Sequence, residues 1–310
     1  MHFFVYNDGR MNVSNGATNL QYINAQKAAA WLLTHARPLE QARYRYHFED
    51  STAEAILTVL SHFQNNDGGF GHGLESDVRL PDSSVICTTV ALQIMREVKT
   101  PSEHPMVQGA LNYLLAEQAA DGTWRSVPDN VSDAPHAPWW TAAGEHVHDN
   151  IGNPSAEIVG FFIEHSVALQ HRIDGKVLAY LEQQSAVNAI EMHEILCYQR
   201  LLESPNLHPD IRTTIVSHLK PAIEPLLIEP GSGAYGLLPL DVASHPDSPF
   251  TEMMGERVAA DLAHRVTQQH EDGYWQPAWS WESEAWKTAE QEIRGVLTLN
   301  NLLIFKRYNR

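Results

Sequence analysis

From about residue 21 onward, apolar residues recur with the period of a helix. In 103–118, Met106, Val107, Ala110, Leu111, Leu114 and Leu115 share one face, which predicts an amphipathic helix. Val258, Ala259, Leu262, Ala263 and Val266 do the same in 257–267. Between Ile158 and Leu169 the chain is apolar almost all round, through Phe161, Phe162, Ile163 and Val167, the pattern of a helix buried on every side. Similar patterns at 22–36, 51–64, 82–98, 171–184, 187–203, 208–227 and 283–306 bring the expectation to ten or eleven helices. No set of segments alternates with a period of two, so the expected class is all-α. Residues 1–20 are polar and rich in Asn and Gly. They are read as a flexible N-terminal extension to a single domain at 21–310.

The helical pattern is punctuated by a repeat. Gln64-Asn65-Asn66-Asp67-Gly68-Gly69-Phe70, Gln118-Ala119-Ala120-Asp121-Gly122-Thr123-Trp124 and Gln269-His270-Glu271-Asp272-Gly273-Tyr274-Trp275 each follow a helix and share Gln-x-x-Asp-Gly-x-aromatic. A worn copy lies at Glu229-Pro230-Gly231-Ser232-Gly233-Ala234-Tyr235. The first two copies are about fifty residues apart, the size of a helical hairpin with its turns. Asp-Gly supplies the positive φ that stops a helix. The aromatic is expected to fold back on the turn, and the Gln amide to hold backbone groups of a neighbouring repeat.

The segment Gly109 to Trp124 resembles the "QW" repeat of squalene and oxidosqualene cyclases. Gln64 to Phe70, with Asp82 to Leu92, resembles the repeats of protein prenyltransferase β-subunits. Gly69-Phe70-Gly71-His72-Gly73-Leu74-Glu75-Ser76-Asp77, Pro135 to Trp140, Asn153-Pro154 and Leu238-Pro239-Leu240 are also similar to a group of uncharacterised bacterial prenyltransferase-like proteins. The resemblance covers most of 21–310. It implies an α/α toroid, here of about five to six helical hairpins around a central cavity. The terpenoid cyclase superfamily's chemical motifs are absent: there is no Asp-x-Asp-Asp, no Asp-Asp-x-x-Asp, and no Asp two residues before Cys87 or Cys197. The expectation is therefore no metal and no cofactor.

Composition narrows the partners. Among 310 residues, 21 basic and 38 acidic side chains give a net charge of −17, which disfavours a binder of duplex nucleic acid. Negative charge at a cavity mouth would also repel diphosphates. Two cysteines cannot build a disulfide framework, and no apolar run reaches the roughly 20 residues of a membrane helix. The expected setting is the cytoplasm and the expected partner a small molecule, apolar or glycan.

Four constellations are candidates for chemistry. The first is the Gly-rich loop from Gly68 to Asp82, which holds His72, Glu75, Asp77, Arg79 and Asp82. In extended chain Glu75 and Asp77 would face one side, and a carboxyl there with a raised pKa could act as a general acid. The alternative is a helix-entry loop in which Asp82 or Ser83 caps the helix and Arg79 pairs with Asp77. The second is Asp133 to Trp140 with Asn153-Pro154: His136 supplies a group that titrates near neutrality, and Trp139 and Trp140 supply aromatic walls. Its alternative is a loop stapled to the body by its aromatics.

The third runs from Trp275 to Trp286, where Trp279 and Trp281 are candidate substrate contacts and Trp275 belongs to the repeat. The fourth is His193 and Cys197, spaced like zinc ligands on a helix but without a third ligand, and read instead as buried packing. The catalytic candidates are thus Asp77, Glu75 and His136. His72, Arg79, Asp82, Trp139, Trp140, Asn153, Trp279 and Trp281 are the substrate-binding candidates. Three functions remain open: a metal-independent, acid-catalysed cyclase or isomerase of an isoprenoid-like substrate, a carbohydrate-active hydrolase or lyase with paired carboxylates, and a non-catalytic binding protein.

Overall fold

A computed structural model describes residues 10–13, 21–141, 151–167, 173–186 and 190–309. The all-α expectation holds. After a short antiparallel pair, β1 (Arg10–Val13) and β2 (Gln21–Asn24), come α1 (Ala25–His35), α2 (Pro38–Phe48), α3 (Ala53–Leu60), α4 (Val85–Glu97), α5 (Pro105–Ala116) and α6 (Ser155–Glu164). Then follow α7 (Ile173–Ala186), α8 (Met192–Leu202), α9 (Pro209–Ile223), α10 (Pro239–Val242), α11 (Thr251–Met254), α12 (Glu256–Thr267) and α13 (Trp286–Tyr308). Arg10–Val13 fall inside the segment read from sequence as an extension, and they pair in register with Gln21–Asn24.

Two departures from the expected helices have physical causes. Helix α2 was hidden because its buried positions include Glu40 and Arg43, which blur the apolar stripe. Glu40 is held by Arg37 at 2.8 Å, an ion pair that lets a carboxylate sit in the interior. Helix α4 begins later than expected, and its cap is neither Asp82 nor Ser83. Ser84 Oγ accepts from the Cys87 N–H at 3.2 Å.

The chain divides into two compact units, one of residues up to Ile56 with Leu227 onward, the other Leu57–Leu226. In the first, α1 packs on α2 and α13, and α12 packs on α10, α11 and the strand pair. Its buried charge is a network: Arg265 reaches Asp261, Asp241 and Asn301, each at 3.1 Å. Asp261 also accepts from the Leu240 N–H at 2.9 Å.

In the second unit α6 is buried from Ser155 to Phe162, as the first part of the all-round apolar pattern predicts, but it ends at Glu164, and Ile163 and Val167 are only half-buried. Gly160 lets α8 come close, because a Cβ there would stand 2.9 Å from Leu201 Cα. Arg96 on α4 pairs with Glu164 at 2.6 Å and Glu203 at 3.2 Å, with its guanidinium 4.3 Å above the Phe161 ring.

The three full repeat copies adopt one geometry. Gln64, Gln118 and Gln269 each donate Nε2–H to the carbonyl of the glycine four residues on, Gly68, Gly122 and Gly273, every time at 2.9 Å. Those glycines have φ of 89°, 91° and 104°. Phe70, Trp124 and Trp275 are buried, and the two indoles donate to carbonyls ten residues back, Leu114 at 2.6 Å and Arg265 at 2.8 Å. The turns also grip neighbours. Gln64 donates to the Met106 carbonyl at 3.3 Å, and a Cβ on Gly68 would stand 2.5 Å from the Gly109 carbonyl oxygen. Within the other unit, Gln269 holds Asn24 and Gly273 lies against Lys27. The worn fourth copy lacks the Gln and the Asp, and its Tyr235 is 81% exposed.

Candidate functional site

The Gly-rich loop is closed at its base. The His72 N–H donates to the Leu80 carbonyl at 3.0 Å, and Gly71 crosses the chain so tightly that a Cβ would meet the Asp82 carbonyl oxygen at 2.2 Å. Two turns follow in succession. Leu74 N–H donates to Gly71 O across His72 and Gly73, whose φ values are 55° and 72°. Val78 N–H donates to Glu75 O at 3.0 Å. The second turn corrects the extended geometry expected for Glu75 and Asp77: the chain reverses between them.

The structure joins this loop to the second constellation. Val78 and His136 form an antiparallel bridge, flanked by Arg79 N–H to Pro135 O at 3.0 Å and Ala137 N–H to Asp77 O at 2.9 Å. Asn130 Nδ2 donates to Asp82 Oδ2 at 2.8 Å, and the Ile86 N–H donates to Ser126 O at 2.9 Å. Beneath lies an apolar cluster of Val78, Leu80, Val127 and Val131, with Trp140 packed against it. The long segment 125–141 is thus stitched to the Gly-rich loop. As the bridged pair, Val78 and His136 share one face, while Asp77 sits in the turn that precedes Val78.

Individual side chains then take their places. Asp77 is 6% exposed, and Glu75 and Arg79 are half-buried. Room for the Arg79 guanidinium comes from Gly73, where a Cβ would stand 2.9 Å from Cζ. His136 Nδ1 lies 2.9 Å from the Ala134 carbonyl. A carbonyl can only accept, so in the neutral ring the proton is assigned to Nδ1 and Nε2 keeps its lone pair. Trp139 is 41% exposed and Trp140 half-buried.

Other candidates lie elsewhere. His72 is exposed and turned to the first repeat turn, its Nε2 2.9 Å from Asn65 Oδ1. Asp82 is bound to Asn130 as described. Asn153 stands before α6, where its Oδ1 accepts from Cys197 Sγ at 3.5 Å. Trp279 and Trp281 belong to the other compact unit: Trp279 is 44% exposed, and Trp281 is buried edge-on against Trp286 at 6.1 Å.

His193 and Cys197 serve different partners. His193 is exposed with Nδ1 2.8 Å from Glu191 Oε2, while Cys197 is buried and its thiol pKa is pushed up by burial.

Sequence reasoning passed over two interior acids, Glu157 and Glu194, each 1% exposed. Glu157 is held by Gln93 at 2.6 Å and Arg200 at 3.1 Å. Burial raises the Glu194 carboxyl to about 6. The readable signal was an acid embedded in an apolar run, Ala156-Glu157-Ile158 and Glu194-Ile195-Leu196.

No family model matches the chain, and no curated protein matches it. Among solved structures it is similar to the type II terpene cyclase MstE from Scytonema without ligand, at 13% identity and TM-score 0.46, over 97% of this chain and 93% of that one. A variant of that cyclase with its product, merosterolic acid A, matches at 13% identity and TM-score 0.45, covering 97% and 91%. A second variant with its substrate, geranylgeranyl dihydroxybenzoate, matches at 12% identity and TM-score 0.46, covering 97% and 92%. Among the described residues no helix is long and apolar enough to cross a membrane.

Proposed function

We propose that this chain is a terpenoid-cyclase-like protein that isomerises or cyclises an apolar, isoprenoid-like molecule by protonation, without a metal. The reading keeps residues 21–310 as one α/α toroid built on QW-type repeats. What carries it is the Asp77 carboxyl, buried on a ribbon whose other strand bears His136 and which rests on an apolar cluster edged by Trp140.

Asp77 gives its proton to a substrate alkene. The resulting carbocation closes a ring or shifts its double bond, then releases a proton from a neighbouring carbon. Substrate and product are isomers, so no co-reactant is consumed. His136 Nε2, unprotonated in the tautomer its backbone contact selects, is the candidate proton acceptor. Trp139 and Trp140 would offer π faces to the cation. His72, Asp82 and Asn153 are engaged in bonds that shape loops and helix starts, so the proposal gives them a supporting part.

A thermal-shift screen tests the ligand class. Polyisoprenoids raise Tm in the wild type, and the rise shrinks in Trp140→Ala. A rise with oligosaccharides alone would replace this reading with the glycan one.

A further inference from the structure

Helix α8 opens with a reciprocal pair of acids. Glu191 Oε1 accepts from the Glu194 N–H at 2.9 Å, and Glu194 Oε2 accepts from the Glu191 N–H at 3.1 Å. Such a box satisfies two backbone N–H groups at a helix start, usually with a hydroxyl at one end and a carboxyl or amide at the other. Here Glu194 is 1% exposed, and its Oε1 makes no full hydrogen bond. That oxygen faces the chain just before α6: a Cβ on Gly152 would stand 2.5 Å from Oε1, 3.1 Å from Cδ and 3.1 Å from the Tyr198 ring. A side chain at 152 would have to displace the carboxyl group.

The surrounding groups favour its neutral form. Burial acts most strongly, and the nearby Glu191 carboxylate adds repulsion. Polar hydrogens of the Glu191 backbone, the Tyr180 side chain on α7 and the Gly152 backbone oppose them but do not prevail. His193 directs Nδ1 to Glu191 instead. On α6, Glu157 and its partner Arg200 are engaged with each other at 3.1 Å. Tyr198, on α8 like Glu194, donates its hydroxyl to the Val177 carbonyl at 2.8 Å. The positive end of the α8 dipole also favours the carboxylate, but only as a partial charge within the first turn.

We propose that Glu194 is a proton-operated latch between Gly152 and the start of α8, closed when the carboxyl is neutral and loosened when it ionises. Neutral, the carboxyl packs against the glycine backbone. Ionised, it must recover solvation, and it does so by drawing the 151–154 segment and the first turn of α8 apart. The latch links the start of α6 to the start of α8, and it stands independently of the proposed chemistry at Asp77.

Amide hydrogen exchange tests this on the full-length protein at pH 5.0 and pH 7.5, after correction for intrinsic exchange rates. In the wild type, protection of 151–158 and 191–198 falls on going from pH 5.0 to pH 7.5 by up to about 8-fold, the change set by a carboxyl at about 6 when closed and 4.5 when open. Glu194→Gln keeps the shape without the titration, so it retains the pH 5.0 protection at both values. His193→Gln removes the neighbouring imidazole and leaves the wild-type response. Equal wild-type protection at both pH values overturns the latch, as does a response that survives in Glu194→Gln. If that variant does not fold, carboxyl ¹³C titration of the wild type decides: a Glu194 midpoint near 6 supports the latch, and one near 4.5 overturns it.

Discussion

Gln269 and Asn24, 245 positions apart in the chain, hold each other by both ends of one amide. The Asn24 N–H donates to Gln269 Oε1 at 2.7 Å, and Gln269 Nε2 donates back to the Asn24 carbonyl at 3.1 Å. Asn24 is also the N-cap of α1, its side chain accepting from the Lys27 N–H at 2.9 Å. The turn after α12 therefore fixes the start of α1, as the turn before α4 fixes the start of α5 through Gln64 and Met106. Gln269→Ala removes these bonds and the one to Gly273. It should cost about 1–3 kcal/mol in urea unfolding, near the lower end because the site is partly open to water. A loss under about 0.3 kcal/mol, within the range of a neutral surface change, would contradict the clamp.

Two glycines make a matched pair. Gly68 has φ 89° and touches the Gly109 backbone, so Gly68→Ala combines backbone strain with a collision that no side-chain movement relieves. A loss of about 3 kcal/mol or more, or insoluble protein, is expected. Gly175 in α7 has nothing within 4 Å of a would-be Cβ, and Gly175→Ala should stabilise by about 0.5–1 kcal/mol. Equal outcomes for the two would show that the first turn does not pack as described.

Trp124→Phe keeps most of the buried ring but deletes the 2.6 Å bond to the Leu114 carbonyl. The stranded acceptor and the volume lost should together cost about 2–3 kcal/mol. Phe70→Leu, at the equivalent position with no such donor, tests packing alone and should cost about 1–2 kcal/mol.

Glu194 makes global stability depend on pH. Its carboxyl is raised from 4.5 to about 6 by burial, so the folded state holds the proton more tightly than the unfolded one. The stabilisation is complete below 4.5 and is lost as pH rises through 6, a change of up to about 2 kcal/mol. Glu194→Gln should therefore exceed the wild type in stability at pH 7.5 and match it at pH 4.5. Urea midpoints at the two pH values measure this, and a variant less stable at both would refute it.

Much of the fold was legible because it is written in period and punctuation. The all-round apolar run of α6 and the Asp-Gly turns state burial and chain reversal locally. Helix α2 escaped because Arg37 and Glu40 neutralise each other in space, and an apolar stripe does not record that pairing. The union of the two candidate loops was likewise invisible. Val78 and His136 pair through backbone groups, which every residue carries and no side-chain motif announces. The local shape at Glu75 and Asp77 was hidden for a related reason: spacing by two gives a shared face only in extended chain, and Ser76 and Asp77 occupy the middle of a turn.

The central claim is that the Asp77 carboxyl protonates an alkene. The direct measurement incubates the purified protein with a linear polyisoprenoid in D₂O and follows products by mass spectrometry. The account predicts an isomer of the substrate carrying one deuterium on carbon, formed equally well with a chelator present and abolished in Asp77→Asn that far-UV circular dichroism shows to be folded. Conversion that persists in Asp77→Asn, or a product without deuterium on carbon, would contradict it.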